Sequence, residues 1–142
     1  MGKINVGRLL LGGLVAGIAM DLLDYPIDGM WLATSWEKGL KALGVAGFTP
    51  SQMIWFNVIG LLTGFVAIWI YAGIRPRFGP GVKTAIYAGL AVWALGVLLP
   101  NAGFMYVAGL FSKHLTMWTT LGGLVEAVVG TICGASVYKE AA

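Results

Sequence analysis

Four apolar stretches, each long enough to cross a bilayer, constrain the fold of this chain more than any other feature. A helix rises about 1.5 Å per residue, so about 20 residues are needed to cross the roughly 30 Å hydrocarbon core of a membrane. Stretches of this kind predict spans at residues 6–28, 52–74, 84–104 and 115–138. The sequence therefore predicts an all-α membrane protein with a single four-helix transmembrane domain over residues 1–142.

The composition agrees with a lipid environment and excludes most other classes. Apolar residues make up 58% of the chain and charged residues 11%, whereas about 25% of a typical soluble domain is charged. The basic residues flank the apolar stretches and form no single patch, so we expect no nucleic-acid partner. The one cysteine, Cys133, allows no intramolecular disulfide. The lipid bilayer is the partner that the composition predicts first.

Basic residues at the ends of the spans predict the orientation. Four spans place both termini, and the loop between the second and third spans, on one side of the membrane. The basic residues on that side are Lys3, Arg8, Arg75, Arg77, Lys83 and Lys139, and those on the other side are Lys38, Lys41 and Lys113. Cytoplasmic loops are enriched in Lys and Arg, so we expect both termini in the cytoplasm.

The connection between the first two spans is the one long loop, and it predicts a short helix at residues 34–44. Thr34 and Glu37 fit a capping box at its start. Trp36 and Leu40 recur at helical spacing opposite two lysines. This pattern predicts an amphipathic helix lying on the membrane surface, with a solvated loop helix as the alternative.

Spans two and four align at an offset of 63 residues (118 − 55), which predicts a tandem duplication of a two-helix unit. Trp55 falls on Trp118 and Gly60 on Gly123 in this alignment. Tandem units have the same orientation and are related by an axis along the membrane normal. The alternative is that the matches arise by chance, because the spans are built from few residue types.

Acidic residues inside the spans are the leading candidates for function. A charged side chain at the bilayer centre costs about 2.5 to 3.5 kcal/mol on insertion scales, so it is expected to face the bundle interior. Counting residues from the flanking basic side chains predicts one polar cluster in the outer half of the bundle. Its members are Asp21, Asp24, Asn57, Thr63, Asn101 and Glu126. No basic residue lies at that depth, so we expect protonated carboxyls or a bound cation there.

Within this cluster, Asp21 and Glu126 are expected to meet, because both lie on glycine-bearing stripes at equal depth. A purely structural, hydrogen-bonded carboxyl is an open alternative for both. Asp24 and Asp28 have a different alternative. If Pro26 ends the first helix, the two are ordinary cap residues in the headgroup layer.

Glycines four residues apart predict close contacts between helices. The pairs are Gly13 with Gly17, Gly60 with Gly64, and Gly130 with Gly134. Small residues at this spacing allow two helix backbones to approach closely. We expect one such face to be a contact with another copy of the chain or with a larger complex.

Three stretches, at residues 8–17, 74–85 and 137–140, carry a resemblance that extends over the whole chain. They resemble a widespread set of small, uncharacterised bacterial integral membrane proteins with four helices. The resemblance implies the four-helix fold and the bacterial inner (cytoplasmic) membrane. It transfers no catalytic residue.

The sequence offers no evident nucleophile, metal-ligand set or phosphate loop, so we expect no catalytic residues, no cofactor and no metal site. The function predicted first is a non-catalytic packing or accessory subunit of a homo-oligomer or a larger membrane complex. The alternative is a small proton- or cation-coupled transporter or channel that uses Asp21 and Glu126. Carboxyls sealed at a helix contact favour the subunit, and a wet passage to them favours the transporter.

The predicted orientation is tested by labelling single cysteines in a Cys133-free background. A cysteine at Lys38 should react with an impermeant reagent in intact cells. A cysteine at Arg77 should react only after permeabilisation, because its loop lies on the cytoplasmic side. The reverse pattern would overturn the predicted orientation.

Overall fold

The computed structural model describes residues 3–141 and consists of helices joined by short loops. The helices are α1 (Val6–Trp31), α2 (Ala33–Ala42), α3 (Pro50–Phe78), α4 (Val82–Val107) and α5 (Lys113–Val137). All of them except α2 are long and apolar enough to cross a membrane. The predicted fold class, an all-α membrane protein with four transmembrane helices, is confirmed.

α1 continues past Pro26, the residue at which the sequence allowed the helix to end. It is α-helical over Val6–Asp24 and becomes a wider π-helix over Tyr25–Trp31. The N–H of Leu32 donates to the carbonyl of Ile27, five residues back, at 2.9 Å. The π-helical turn begins beside a proline, which has no N–H to give to an α-helical turn. The aspartates around Pro26 therefore stay within the span and do not cap its end.

α4 changes in the same way. Its first part, Val82–Trp93, is α-helical, and π-helical segments follow at Ala94–Leu98 and Asn101–Val107, on either side of Pro100. The span reaches three residues beyond the predicted end at residue 104.

α1 packs against α3 through glycine. A β-carbon added to Gly64 of α3 would lie 2.6 Å from the Cα atom of Gly17 and would also collide with the backbone of Gly13. A β-carbon at Gly17 would in turn lie 2.6 Å from the Cα atom of Leu61. The two backbones therefore touch along this line, as small-residue spacing allows.

α1 packs against α5 on another side, again through small residues. Gly134 of α5 lies against the carbonyl of Gly12, and a β-carbon at Gly130 would lie 3.0 Å from the carbonyl oxygen of Ala16 and 2.5 Å from Met20 Cγ. α5 also contacts α4, where the Trp93 indole N–H donates to the Thr120 carbonyl at 2.8 Å. The spans thus form a bundle in which α1 makes close backbone contact with both α3 and α5.

α2 starts differently from the prediction. It begins at Ala33 with no side-chain cap, so Thr34 and Glu37 form no capping box. The preceding π-helix explains this, because the Leu32 carbonyl already accepts from the N–H groups of Ser35 and Trp36, each at 2.9 Å. A capping box does occur in the chain, at the start of α3, between Thr49 and Gln52.

The apolar face of α2 packs on the outer end of the bundle. Leu40 is 8% exposed, and the Trp36 ring contacts the Phe111 ring edge to face with centroids 5.3 Å apart. Part of the face expected to lie on lipid is thus covered by protein. The placement of α2 at the membrane surface and the tandem duplication stay predictions.

Both chain ends lie on one side of the bundle. The N–H of Ala141 donates to the carbonyl of Lys3 at 3.1 Å in an isolated antiparallel bridge. We call this end the terminal side and the opposite end, which carries α2, the loop side. That the terminal side faces the cytoplasm stays a prediction.

Two glycines of α3 provide a matched test of the packing. Gly64→Ala should lower the free energy of unfolding by about 1 to 3 kcal/mol, because its methyl group collides with the α1 backbone. Gly73→Ala should be neutral or stabilising by up to about 1 kcal/mol, since nothing lies within 4 Å of that position. Unfolding in detergent, followed by circular dichroism, measures both. Equal effects would contradict the proposed contact.

Candidate functional site

Three carboxylates from two spans meet within the bundle. Asp24 and Asp28 lie on α1, and Glu126 lies on α5. One carboxylate oxygen of each lies within 4.8 Å of the other two. We call this group the carboxylate cluster. It is partly open, because Asp24 is exposed while Asp28 and Glu126 are half-buried.

The directions of the two helices explain why these side chains converge. α1 and α5 run antiparallel, and the Cα–Cβ bonds of a helix tilt toward its N-terminus. The Glu126 side chain therefore leans toward the loop side, whereas Asp24 and Asp28 lean toward the terminal side. The two aspartates are four residues apart, so they share one helix face.

Asp21 is not one of the three carboxylates that lie within 4.8 Å of one another, and its expected meeting with Glu126 stays a prediction. The Asp21 carboxylate faces α3, where a β-carbon added to Gly60 would collide with it. Counting depth along the chain compares Cα positions only. It takes no account of the lean of the side chains, which brings Glu126 toward Asp24 and Asp28.

The other polar residues expected in the cluster make their hydrogen bonds elsewhere. Asn57 and Thr63 each donate to a carbonyl of their own helix one turn earlier, at 2.7 and 2.8 Å. Asn101 donates to the Thr120 hydroxyl at 3.0 Å, between α4 and α5. Within residues 3–141, no hydrogen bond joins any of the three to a carboxylate of the cluster. A short polar side chain in a lipid-embedded helix can donate a hydrogen bond to the carbonyl four residues earlier in the same helix. Counting residues along the chain to estimate depth does not reveal such a bond.

Thr63 additionally lines an apolar groove of about 330 Å³ between α3 and α4, together with side chains such as Ile59, Val92 and Leu95. The groove is not lined by any of the three carboxylates. The predicted polar cluster is therefore divided into separate environments.

The carboxylates differ in their partners. Asp28 Oδ1 accepts a hydrogen bond from the indole N–H of Trp36 at 2.7 Å, which ties α2 to the first span. Glu126 Oε1 is buried and has no hydrogen-bond partner in the described chain. The ion pairs among the described residues are Lys41–Glu37 and Arg75–Glu140, so none involves the cluster.

Small and apolar residues shape the space beside Glu126. A β-carbon at Gly122 would lie 3.6 Å from Glu126 Oε1 and 2.6 Å from Cγ2 of Ile27. Ile27 also packs, as Trp36 does, against a buried apolar group made of Leu32, Met105 and Leu115. Glu126 Oε1 thus lies between a helix backbone without a side chain and an apolar wall.

The charged pair of α2 lies outside the spans and apart from the cluster. Lys41 Nζ donates to Glu37 Oε1 at 2.8 Å on an exposed face. The hydrogen bond and the charge of Lys41 lower the pKa of Glu37, and the same contact raises the pKa of Lys41. Glu37 is therefore an acid of the loop side whose charge is already matched.

The three carboxylates of the cluster would repel one another if all of them were charged. Two like unit charges about 5 Å apart repel by roughly 3 kcal/mol at an effective dielectric constant of about 20. One indole hydrogen bond does not offset that repulsion among three carboxylates. Protons or a metal cation would relieve it, because each removes or balances negative charge.

Asp28 and Trp36 are the site residues that the predicted cluster lacked. The i, i+4 spacing of Asp24 and Asp28 was the signal available for Asp28. It was outweighed by Pro26, which suggested that the helix ends between them. No sequence signal links Trp36 to Asp28, because the contact depends on how α2 folds back over the bundle.

Comparisons of the chain with protein-family models, with curated proteins and with solved structures give no match.

The hydrogen bond from Trp36 to Asp28 is tested by Trp36→Phe. Phenylalanine keeps the ring packing against Phe111 but removes the N–H donor, so the protein should lose about 1 kcal/mol or more of stability. Thermal unfolding in detergent measures the loss. Trp55→Phe is the control, because Trp55 is 63% exposed and should be neutral. A neutral Trp36→Phe would show that the bond contributes nothing.

Proposed function

We propose that this chain is a small multi-pass membrane protein that binds a cation, a metal ion or protons, at Asp24, Asp28 and Glu126, as a step in proton- or cation-coupled transport. The observation that carries the proposal is the approach of three carboxylates within 4.8 Å on two apolar spans. None of the three has a basic partner among the described residues. Intramembrane ionisable groups commonly mark ion pathways.

The spacing of the oxygens bears on the type of cation. Two ligands of one ion are separated by at most twice the metal–oxygen distance, which is about 4.6 to 5.2 Å for Ca²⁺ and about 4.0 to 4.2 Å for Mg²⁺. The upper limit of 4.8 Å on the oxygen separations falls within the pairwise range for Ca²⁺ and exceeds that for Mg²⁺, so the larger ion is favoured. Protons need no such geometry, so they are the second form of the same proposal.

The accessory-subunit function ranks second. It was expected because glycine faces can join separate chains. In this bundle Gly13, Gly17, Gly64, Gly130 and Gly134 pack against other helices of the same chain. A second copy or a larger complex would therefore need a different face, and this assembly role stays a prediction.

We further infer a non-catalytic protein in the bacterial inner membrane with both termini in the cytoplasm. The resemblance to small bacterial four-helix proteins supports the location. The excess of basic residues on the terminal side supports the orientation.

The proposal is tested on the purified protein in lipid nanodiscs by calorimetric titration with Ca²⁺ and Mn²⁺, and in proteoliposomes by pH- and cation-driven flux. Glu126→Gln keeps the shape of the side chain and removes its charge. It should weaken metal binding by at least about 10- to 100-fold, since even outer-shell changes cost that much. If protons are the ligand, it should instead abolish proton flux and its pH dependence.

Two acids serve as controls. Asp21→Asn changes an acid of the same span that faces Gly60, and Glu37→Gln changes an exposed acid paired with Lys41. Both should retain binding or flux. A wild-type protein that binds no cation and conducts no protons contradicts the proposal, as does a Glu126→Gln protein that is fully active.

A further inference from the structure

The last residues of the chain cross the terminal side of the bundle. α5 ends at Val137, and Tyr138 leaves the helix with extended backbone angles. Three residues later Ala141 pairs with Lys3. Between them Glu140 Oε1 lies 3.3 Å from Nη1 of Arg75. This segment, residues 138–141, therefore covers the end of α3.

The length of α3 predicts that Arg75 lies at the depth of the lipid headgroups. α3 has 29 residues, so it is about 44 Å long and matches the roughly 40 to 45 Å of a bilayer that includes both headgroup layers. Arg75 is in the last turn of α3, three residues before Phe78. Its guanidinium therefore lies where phosphate groups are concentrated.

The donors of Arg75 are not satisfied within the described chain. Its side chain is 18% exposed, and Nε and Nη1 are buried without a hydrogen-bond partner. Glu140 balances the charge without an aligned hydrogen bond. Unpaired buried donors are costly, so this arrangement favours a ligand with better-placed acceptors.

The Tyr138 hydroxyl is a second unpaired group beside it. Tyr138 is 4% exposed, and its hydroxyl is buried with no partner in the described chain. The Arg75 guanidinium carbon lies 5.6 Å from the centre of the Tyr138 ring. The neighbouring Tyr71 hydroxyl, by contrast, accepts from the N–H of Gly81 at 3.1 Å. Two side chains with polar atoms that lack hydrogen-bond partners, Arg75 and Tyr138, thus adjoin each other.

The charge around this pair indicates the kind of ligand. The exposed basic residues of the terminal side are Lys3, Arg8, Arg77, Lys83 and Lys139. Glu140 is the one acid there. A phosphate group offers several acceptor oxygens and negative charge, and arginine is well suited to bind it.

We propose that Arg75 and Tyr138 bind the phosphate group of an anionic phospholipid, and that Glu140 forms the ion pair with Arg75 when no lipid is bound. The lipid phosphate displaces the Glu140 carboxylate and accepts hydrogen bonds from the guanidinium and the Tyr138 hydroxyl. Displacement needs only the Glu140 side chain to turn away from Arg75, while Tyr138 stays packed in the core beside Tyr71. The site does not depend on the carboxylate cluster at the other end of the bundle.

Native mass spectrometry of the whole protein, titrated with phosphatidylglycerol or phosphatidylcholine, tests the proposal. We expect phosphatidylglycerol to be retained preferentially. Arg75→Gln should reduce its affinity by about 10- to 150-fold, the range for hydrogen bonds to charged groups. The matched control Arg77→Gln removes an exposed charge of the same turn and should cost about fivefold or less.

Two further variants keep the test decisive if Arg75→Gln does not fold. Tyr138→Phe removes a hydroxyl that has no partner in the described chain, so it should leave stability unchanged and weaken lipid binding. Glu140→Gln removes the competitor and should strengthen it. Unchanged binding in both overturns the proposal, as does equal retention of the two lipids by the wild type.

Inorganic phosphate alone distinguishes the source of the phosphate group. If the site recognises lipid, inorganic phosphate should not displace phosphatidylglycerol at equal concentration, because it lacks the acyl chains that hold the headgroup at this depth. Displacement by inorganic phosphate would overturn the assignment to lipid. Neither outcome bears on cation binding at the carboxylate cluster.

Discussion

Direct backbone contact between α1 and its two neighbours is the interaction on which the rest of the bundle depends. Apolar side chains gain little by leaving lipid for protein, so helices in a membrane associate through close packing and hydrogen bonds. Here glycines remove side chains on both sides of the contact, at Gly17 with Gly64 and at Gly12 with Gly134. Any β-carbon at these positions would push the helices apart. The contacts therefore fix how far each helix is shifted along its neighbour.

That shift decides which acids meet. With α1 seated on α3, Asp21 lies in the space that Gly60 leaves. With α1 seated on α5, Glu126 reaches the level of Asp24 and Asp28, and the π-helical end of α1 brings Asp28 beneath Trp36. A single displaced turn would separate the carboxylates. The chemistry of the cluster is thus a consequence of backbone packing some distance below it.

The fold could be predicted from the sequence because the thickness of the membrane dictates the length of each span. Apolar runs of about 20 residues have few other structures open to them in lipid. The ends of the spans were harder to predict. Pro26 indicates a helix end when only α-helical hydrogen bonding is considered, but a bond to the fifth preceding residue lets the helix continue. Thr34 and Glu37 matched a capping box whose backbone donors are already taken.

The candidate site could be predicted from the sequence only in part. Intramembrane acids stand out in an apolar sequence, so Asp24 and Glu126 were identified directly. Their partners could not be identified, because the lean of side chains in antiparallel helices and the folding of α2 over the bundle are properties of the assembled structure. Asn57 and Thr63 show the opposite error. They are polar at a suitable depth, yet each bonds to its own helix.

The pairing of Lys3 with Ala141 has a consequence for the path of the chain. Because these two residues lie side by side, the described part of the chain forms a nearly closed loop, and a short linker could join Lys3 to Ala141 without disturbing the spans. In such a joined chain, new ends could be opened at another loop, and the helices would then follow one another in a different order. The exposed connection between α2 and α3 is a suitable position for the new ends. A domain fused at Lys3 and one fused at Ala141 would therefore emerge side by side.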